Sequence, residues 1–268
     1  MQGEKMKVLF TGGELYISPL FVTSPFIWEM KGFSRHLTCK PFIDVLENDP
    51  NIEVVQMSNW DVYKSFPRTL KELSKFDVVV MNDVEAEVLY LYPEFFAAST
   101  WESEEPTTFP NRPEIIRQFV ENGGAILMAG GWNSFQGRHG FGGWHNTPVE
   151  EAMPVECMPY ADLVETPQGA EIKIIQTEHA VIKDIPWKSC PPILGYNKTK
   201  LKPDATLLLT INETGKEEDP LMAVTEYGNG RSMIYASSLL PHWGANFQKW
   251  RYYGELWLRA MKWLTKKL

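Results

Sequence analysis

Three short apolar runs, each stopped by glycines or by a polar pair, constrain this chain more than any other feature. Lys7–Thr11 (KVLFT) ends at Gly12-Gly13, Phe76–Met81 (FDVVVM) at Asn82-Asp83, and Ala125–Ala129 (AILMA) at Gly130-Gly131. Continuous apolar runs of this length suit parallel strands buried on both faces. Ile52–Met57 reads as a further strand. Helical segments fall between them: one capped by Ser34 and running to about Asn48, with Leu37, Phe42, Val45 and Leu46 inward; a short one near Thr69–Ser74; and Glu114–Asn122, opened by Pro113 and closed by Gly123. This alternation predicts an α/β fold around a mostly parallel, doubly wound sheet. Ligands of such sheets bind beyond the carboxyl ends of the strands. That rule puts Gly12-Gly13-Glu14, Asn82-Asp83 and Gly130 onward along one edge.

The second half adds a β-rich portion, with strands expected at Glu171–Gln176, Ala205–Ile211, Met222–Tyr227 and Ser232–Ala236. Asn229-Gly230 is the hairpin signal between the last two. Phe247–Leu264 reads as a closing helix whose broad apolar arc must pack on the sheet. Residues 84–111 form an acidic, aromatic insertion. No repeat or linker interrupts the 268 residues, so a single domain over 1–268 is expected.

A net charge of -8 argues against nucleic acid as a partner. No apolar run approaches the roughly 20 residues that span a bilayer, and the first residues show no apolar signal core. Three scattered cysteines, Cys39, Cys157 and Cys190, suit a reducing cytoplasm better than a disulfide framework. Gly12-Gly13-Glu14 is not a dinucleotide fingerprint and no close-spaced metal-ligand motif occurs, so neither cofactor nor metal is expected. A homo-oligomer stays open.

The stretch with most chemical promise runs from Gly123 to Pro148. A nucleophile elbow needs Cys or Ser on the turn after a strand; here Gly130-Gly131 holds that turn, and Ser134 comes too late to match G-x-S-x-G. Acid/base candidates are His242, His145, Asp83 and Glu14, all near predicted strand ends or in the glycine-rich loop. For Asp83 a turn or helix-cap role is an equal reading. Trp132, Asn133, Ser134, Gln136, Trp144, Thr147 and Trp243 could form a ligand-binding surface, rings stacking on apolar faces and amides or hydroxyls bonding polar groups. Equally, the rings could bury the loop under its own side chains.

The block Gly130 to Gly137 (GGWNSFQG), with Trp144-His145-Asn146-Thr147-Pro148-Val149-Glu150 and Met153-Pro154-Val155, resembles the glutamine amidotransferase-like family. Lys31-Gly32-Phe33, Asp77–Asp83, Gly230-Arg231 and Pro241-His242-Trp243-Gly244 through Trp250 extend the resemblance over nearly the whole chain. It implies a flavodoxin-like, three-layer fold of the class I glutamine amidotransferase type, related to trehalose-utilisation-like proteins. It does not imply glutaminase activity, because glycine stands where that class carries its G-x-C-x-G cysteine. His179 resembles the histidine of an H-P-[IV] segment in those relatives, with Ala180 in place of proline. Ser237-Ser238-Leu239 stands where the family often has an aspartate before Pro-His-Trp. The expectation is a protein lacking the nucleophile cysteine that binds or acts on a small polar molecule, such as a carbohydrate-derived one. A noncatalytic ligand-binding or assembly subunit is the alternative.

Overall fold

A computed structural model describes residues 5–17, 20–24, 27–30, 34–212 and 218–268, with side chains excepted between 14 and 37. The nine strands of its main sheet are β1 (Met6–Gly12), β2 (Ile52–Met57), β3 (Val78–Asn82), β4 (Ala125–Ala129), β5 (Leu163–Ile174), β6 (Ile193–Asn197), β7 (Thr206–Asn212), β8 (Asp219–Tyr227) and β9 (Gly230–Tyr235). Their order across the sheet is β6-β5-β7-β8-β9-β4-β3-β1-β2. The half β9-β4-β3-β1-β2 is parallel throughout, and the half from β9 to β6 is antiparallel. The fold is therefore mixed α/β. β3 and β4 are buried at every position, as their unbroken apolar runs require.

Because successive strand residues face opposite sides, the parallel half feeds two apolar clusters. Val8, Phe10, Val80, Leu127 and Tyr235 join one of them; Leu9, Val79, Met81, Ile126 and Met128 join the other. The first takes in α1 (Lys40–Glu47) through Phe42 and Leu46 and the C-terminal helix α4 (Tyr253–Leu264) through Trp257 and Met261. The second takes in α2 (Asn59–Ser65) through Val62 and α3 (Arg112–Glu121) through Ile116, Phe119 and Val120.

Three local expectations need correction, and one helix was not foreseen. Ser34 caps no helix: Ser34–Leu37 pairs antiparallel with Glu14–Ile17, and α1 starts at Lys40 with Pro41 in its first turn. The final helix starts at Tyr253; Phe247–Lys249 is a separate 3-10 turn, after which the chain extends at Trp250. The hairpin turn falls one residue early, on Gly228-Asn229, since Tyr227 pairs with Gly230 and Gly228 takes the positive φ of 57°. The reading also overlooked α2, although Ser58 and Asp61 form a complete capping box at its start.

One polar side chain ties the second helical group together. The Arg112 guanidinium, fully buried at the start of α3, donates to the carbonyls of Leu89 (2.9 Å), Val62 (3.0 Å), Tyr63 (3.2 Å) and Val88 (3.1 Å), and also to that of Leu91. Several of these carbonyls lie near the ends of α2 and of the helix Ala86–Tyr90, where helices leave acceptors unpaired and favour a cation. The Tyr92 ring covers the guanidinium at 4.1 Å. Replacing Arg112 by Met removes the donor these carbonyls share, leaving Val62 only its bond from the Phe66 N–H, and should cost about 3–5 kcal/mol, read as a lower urea midpoint. A midpoint within error of wild type would show that the carbonyls find water instead.

Candidate functional site

The site is built where β3 and β4 end side by side, Asn82 opposite Ala129. After β3 the chain turns at Asp83 with φ 55°, an unusual conformation for a residue with a side chain. After β4 it turns at Gly130-Gly131, where side chains are excluded by contact. A Cβ on Gly130 would lie 2.3 Å from the Ala236 carbonyl oxygen, and one on Gly131 would lie 2.2 Å from Asp83 Oδ1. The Asp83 carboxylate thus fills the space a side chain at position 131 would need.

Asp83 is held through its backbone and its carboxylate alike. Its Oδ1 accepts the Asn133 N–H at 2.8 Å, and the Trp132 N–H also bonds the carboxylate. Its own N–H donates to Ser134 Oγ at 3.0 Å, and its carbonyl accepts from Asn59 Nδ2 at 2.9 Å. Burial pushes the carboxyl up to about 6, with the two N–H groups opposing and the charge of Glu85 adding to the rise. A second carboxylate holds the far end of the loop. Asp162, nearly fully buried, accepts the Gln136 and Gly137 N–H groups, both at 2.9 Å, and Asn197 Nδ2 at 2.8 Å. It too is pushed up to about 6, chiefly by burial. Asn197, fully buried at the end of β6, also grips Gly131 from both sides, accepting its N–H (2.9 Å) and donating to its carbonyl (3.1 Å).

Beside Asp83 opens a cleft of about 460 Å³ whose described lining includes Asn59, Asp83, Trp132, Asn133 and His242, with Gly13, Thr38 and Leu240-Pro241. Trp132 is 41% exposed; the His242 ring stands edge-on to it at 5.1 Å, and the Arg138 guanidinium lies over it at 4.6 Å. His242 stacks on Trp243, and its Nε2 is 3.8 Å from Glu165 Oε2. The same Glu165 oxygen accepts Trp243 Nε1 at 2.9 Å. A carboxyl group, an imidazole and an exposed indole therefore share one opening.

The other residues singled out in the sequence lie elsewhere. Trp144 is fully buried and donates Nε1 to the Val84 carbonyl at 2.9 Å. Trp243 is buried as well, Ser134 is spent on Asp83, and Thr147 caps the helix Pro148–Ala152. Gln136 Oε1 accepts the His145 N–H at 3.4 Å. His145 Nδ1 faces Glu150 Oε1 at 3.5 Å and has no hydrogen-bond partner. His145 is absent from the described cleft lining, so it does not share that opening with His242. The side chain of Glu14 falls outside the described residues. His179 Nδ1 accepts the Val181 N–H, and its ring lies 5.3 Å from that of Trp263. Sequence reasoning missed Asn59, Asp162, Glu165 and Asn197. Only Asn59 carried a signal: the capping box at Ser58 places it in the first turn after the carboxyl end of β2, on the predicted edge.

Comparison with known proteins agrees with this architecture. Residues 21–266 match the model of a family described as "Putative glutamine amidotransferase". The chain belongs to that family. Two solved structures from Salmonella typhimurium resemble it over nearly their whole length. Cytoplasmic protein STM3548 is 29% identical with a TM-score of 0.83, covering 97% of this chain and 99% of its own. Cytoplasmic protein STM1381, from strain LT2, is 28% identical with a TM-score of 0.82 and the same coverage. A ThuA-like protein from Parabacteroides merdae, 14% identical with a TM-score of 0.53 over 98% of this chain and 90% of its own, shares the fold. No curated protein matches the chain.

For a family with that description the thiols matter. Burial pushes Cys39 up to about 11, Cys190 up to about 12 and Cys157 well above the ordinary thiol range. Nucleophilic cysteines need the opposite shift. Among the described residues no group of three or more His, Cys, Asp or Glu could hold a metal ion.

The geometry makes two predictions. Gly131→Ala should cost about 1–3 kcal/mol by forcing a methyl group into the Asp83 carboxylate. Adding Asp83→Gly should recover much of that loss, so a double-mutant cycle should show coupling; additive costs would mean that the two positions do not compete for one volume. The second concerns acidity. A folded-state value for Asp83 of about 6, above the ordinary 3.8, means the folded protein holds that proton more tightly than the unfolded chain. This contribution to stability is complete below the unfolded value and is lost as pH rises through about 6. Asp83→Asn lacks it, so relative to wild type the variant should gain stability between about pH 4 and about pH 7. A flat difference across that window, measured by urea unfolding, would contradict the raised value.

Proposed function

We propose that this protein binds or acts on a small polar molecule, such as a carbohydrate-derived one, in the cleft between Asp83 and His242, and that it is not a glutaminase. The observation that carries the reading is the shared opening: a carboxyl group poised near 6, an imidazole and an exposed Trp132 ring line one cavity. Proton transfer is most effective from groups whose acidity lies near the working pH, and burial of a carboxylate is the usual way to reach it. Trp132 offers an apolar face for ring or chain carbons, and Asn59 and Asn133 offer amides for polar groups. No cofactor enters this reading.

Glutamine hydrolysis is disfavoured because Gly130-Gly131 stands at the elbow, where amidotransferases of class I keep their cysteine, and the three thiols present, two buried and Cys190 half-buried, are all weakly acidic. The same family membership supports reading residues 1–268 as one domain of the flavodoxin-like, three-layer class I type. A cytoplasmic location is supported by the Salmonella relatives, both called cytoplasmic proteins. The net charge of -8 speaks against nucleic acid, and among the described residues no helix is long and apolar enough to cross a membrane.

A noncatalytic ligand-binding or assembly subunit, including a homo-oligomer, is the second reading. It is favoured by the separation of His145 from His242 and by the burial of Trp144 and Trp243 beneath the loop. A ligand-library thermal-shift screen discriminates. At about a hundred times its dissociation constant a true ligand stabilises by about 2.7 kcal/mol. The shift should vanish in Trp132→Ala and His242→Ala and persist in His145→Ala. Turnover of the hit lost in Asp83→Asn selects the enzyme reading, whereas binding without turnover selects the other. A hit that ignores Trp132→Ala and His242→Ala would move the site elsewhere.

A further inference from the structure

The hydrogen-bonding capacity left over in the cleft is uneven. The Thr38 hydroxyl spends its hydrogen on the Gly13 carbonyl at 2.6 Å, so what remains toward the cleft is an acceptor. Asn59 Nδ2 donates to the Asp83 carbonyl, which fixes the amide and leaves Oδ1 buried without any partner. Asp83 already takes two backbone N–H groups and, when ionised, can only accept more. Three residues on one lining thus lack donors to face. Asn133 and His242 can both donate and accept, and among the described lining residues none is Lys or Arg. A buried oxygen without a partner is costly unless water or a ligand supplies the hydrogen.

Resting on the assignment of this cleft as the binding site, we infer that it recognises its ligand through the ligand's own donors, taking a small hydroxyl- or ammonium-bearing molecule and rejecting carboxylates and phosphates. An ammonium carries three hydrogens and each hydroxyl one, so an ammonium or several hydroxyls of one ligand can supply donors to this side of the lining. An anionic group placed there would meet the Asp83 charge, and the described cation nearest the rim, Arg138, is stacked over the Trp132 ring and does not belong to the described lining. The same imbalance bears on amino-acid substrates such as glutamine, whose α-carboxylate has no counter-charge in the described lining.

A series on one carbon skeleton tests this: glucosamine, glucose, gluconate and a glucose phosphate, titrated into the full chain. Binding is read by saturation-transfer NMR and tryptophan fluorescence, with Trp132→Ala as the control for cleft occupancy. Glucosamine or glucose should bind at least about tenfold more tightly than either anion, and Thr38→Val should weaken that binding while the variant melts like wild type. Preference for glucosamine over glucose assigns the contact to an ammonium on Asp83; equal binding assigns it to hydroxyls. If gluconate or the phosphate binds as tightly as glucose and Trp132→Ala abolishes it, the inference is overturned and the cleft keeps its role. If no member binds and the ligand library is also blank, both fall.

Discussion

The close approach of Gly131 to the Asp83 carboxylate is the contact on which the architecture of the site depends. Two parallel strands end together, and the first residues beyond them must pass within van der Waals distance. One turn can keep a side chain only if the other gives it up. The chain keeps Asp83, at φ 55°, and gives up the side chain at 131. Asn197 then fixes the glycine by bonding its N–H and its carbonyl at once, and the Trp132 and Asn133 N–H groups close over the carboxylate. Everything exposed in the cleft is referenced to that small, buried arrangement.

This exchange has a chemical meaning. Backbone N–H groups just after a strand–turn junction are donors suited to developing negative charge. In this chain the pair from Trp132 and Asn133 is already occupied by an internal carboxylate, and the position before them has no atom to attack with. Covalent catalysis from the elbow would need both the volume and the donors that Asp83 holds. What the arrangement supports instead is a carboxyl group whose proton is retained to about 6, presented beside an imidazole. On the function proposed above, the resemblance to amidotransferases carries over to the frame and stops at the turn.

Much of this frame was legible in the sequence because it rests on local, periodic signals. The runs at Lys7, Phe76 and Ala125 mark buried strands whatever surrounds them, and the glycine pairs mark where the chain must pass closely. The rule for strand carboxyl ends then brought Asp83 and the loop after Gly130 to one edge. The failures share a cause. Ser34 looked like a helix cap because the pairing of Ser34–Leu37 with Glu14–Ile17 is not written in either segment alone. Trp132, Trp144 and Trp243 are the same residue type in similar glycine-rich company, yet one lines the cleft and two are buried. Which ring faces outward is decided by distant partners: Val84 for Trp144 and Glu165 for Trp243. Asp162 and Asn197 act on the loop from far along the chain, and no spacing announces them.

The loop's anchoring also determines where the site can move. A buried carboxylate (Asp162), a half-buried one (Asp83) and a buried amide (Asn197) hold the segment from Gly131 to Gly137 by its backbone, and such networks specify geometry even where burying the charge costs stability. Asp83 and Asp162 are both pushed toward neutrality by that burial, so the chain accepts the cost at each end of the loop. The rim has no comparable fixings. Trp132 and His242 rest edge to face, with Arg138 over the indole and Glu165 within 3.8 Å of the imidazole. A ligand entering the cleft would meet a rigid base and an adjustable edge.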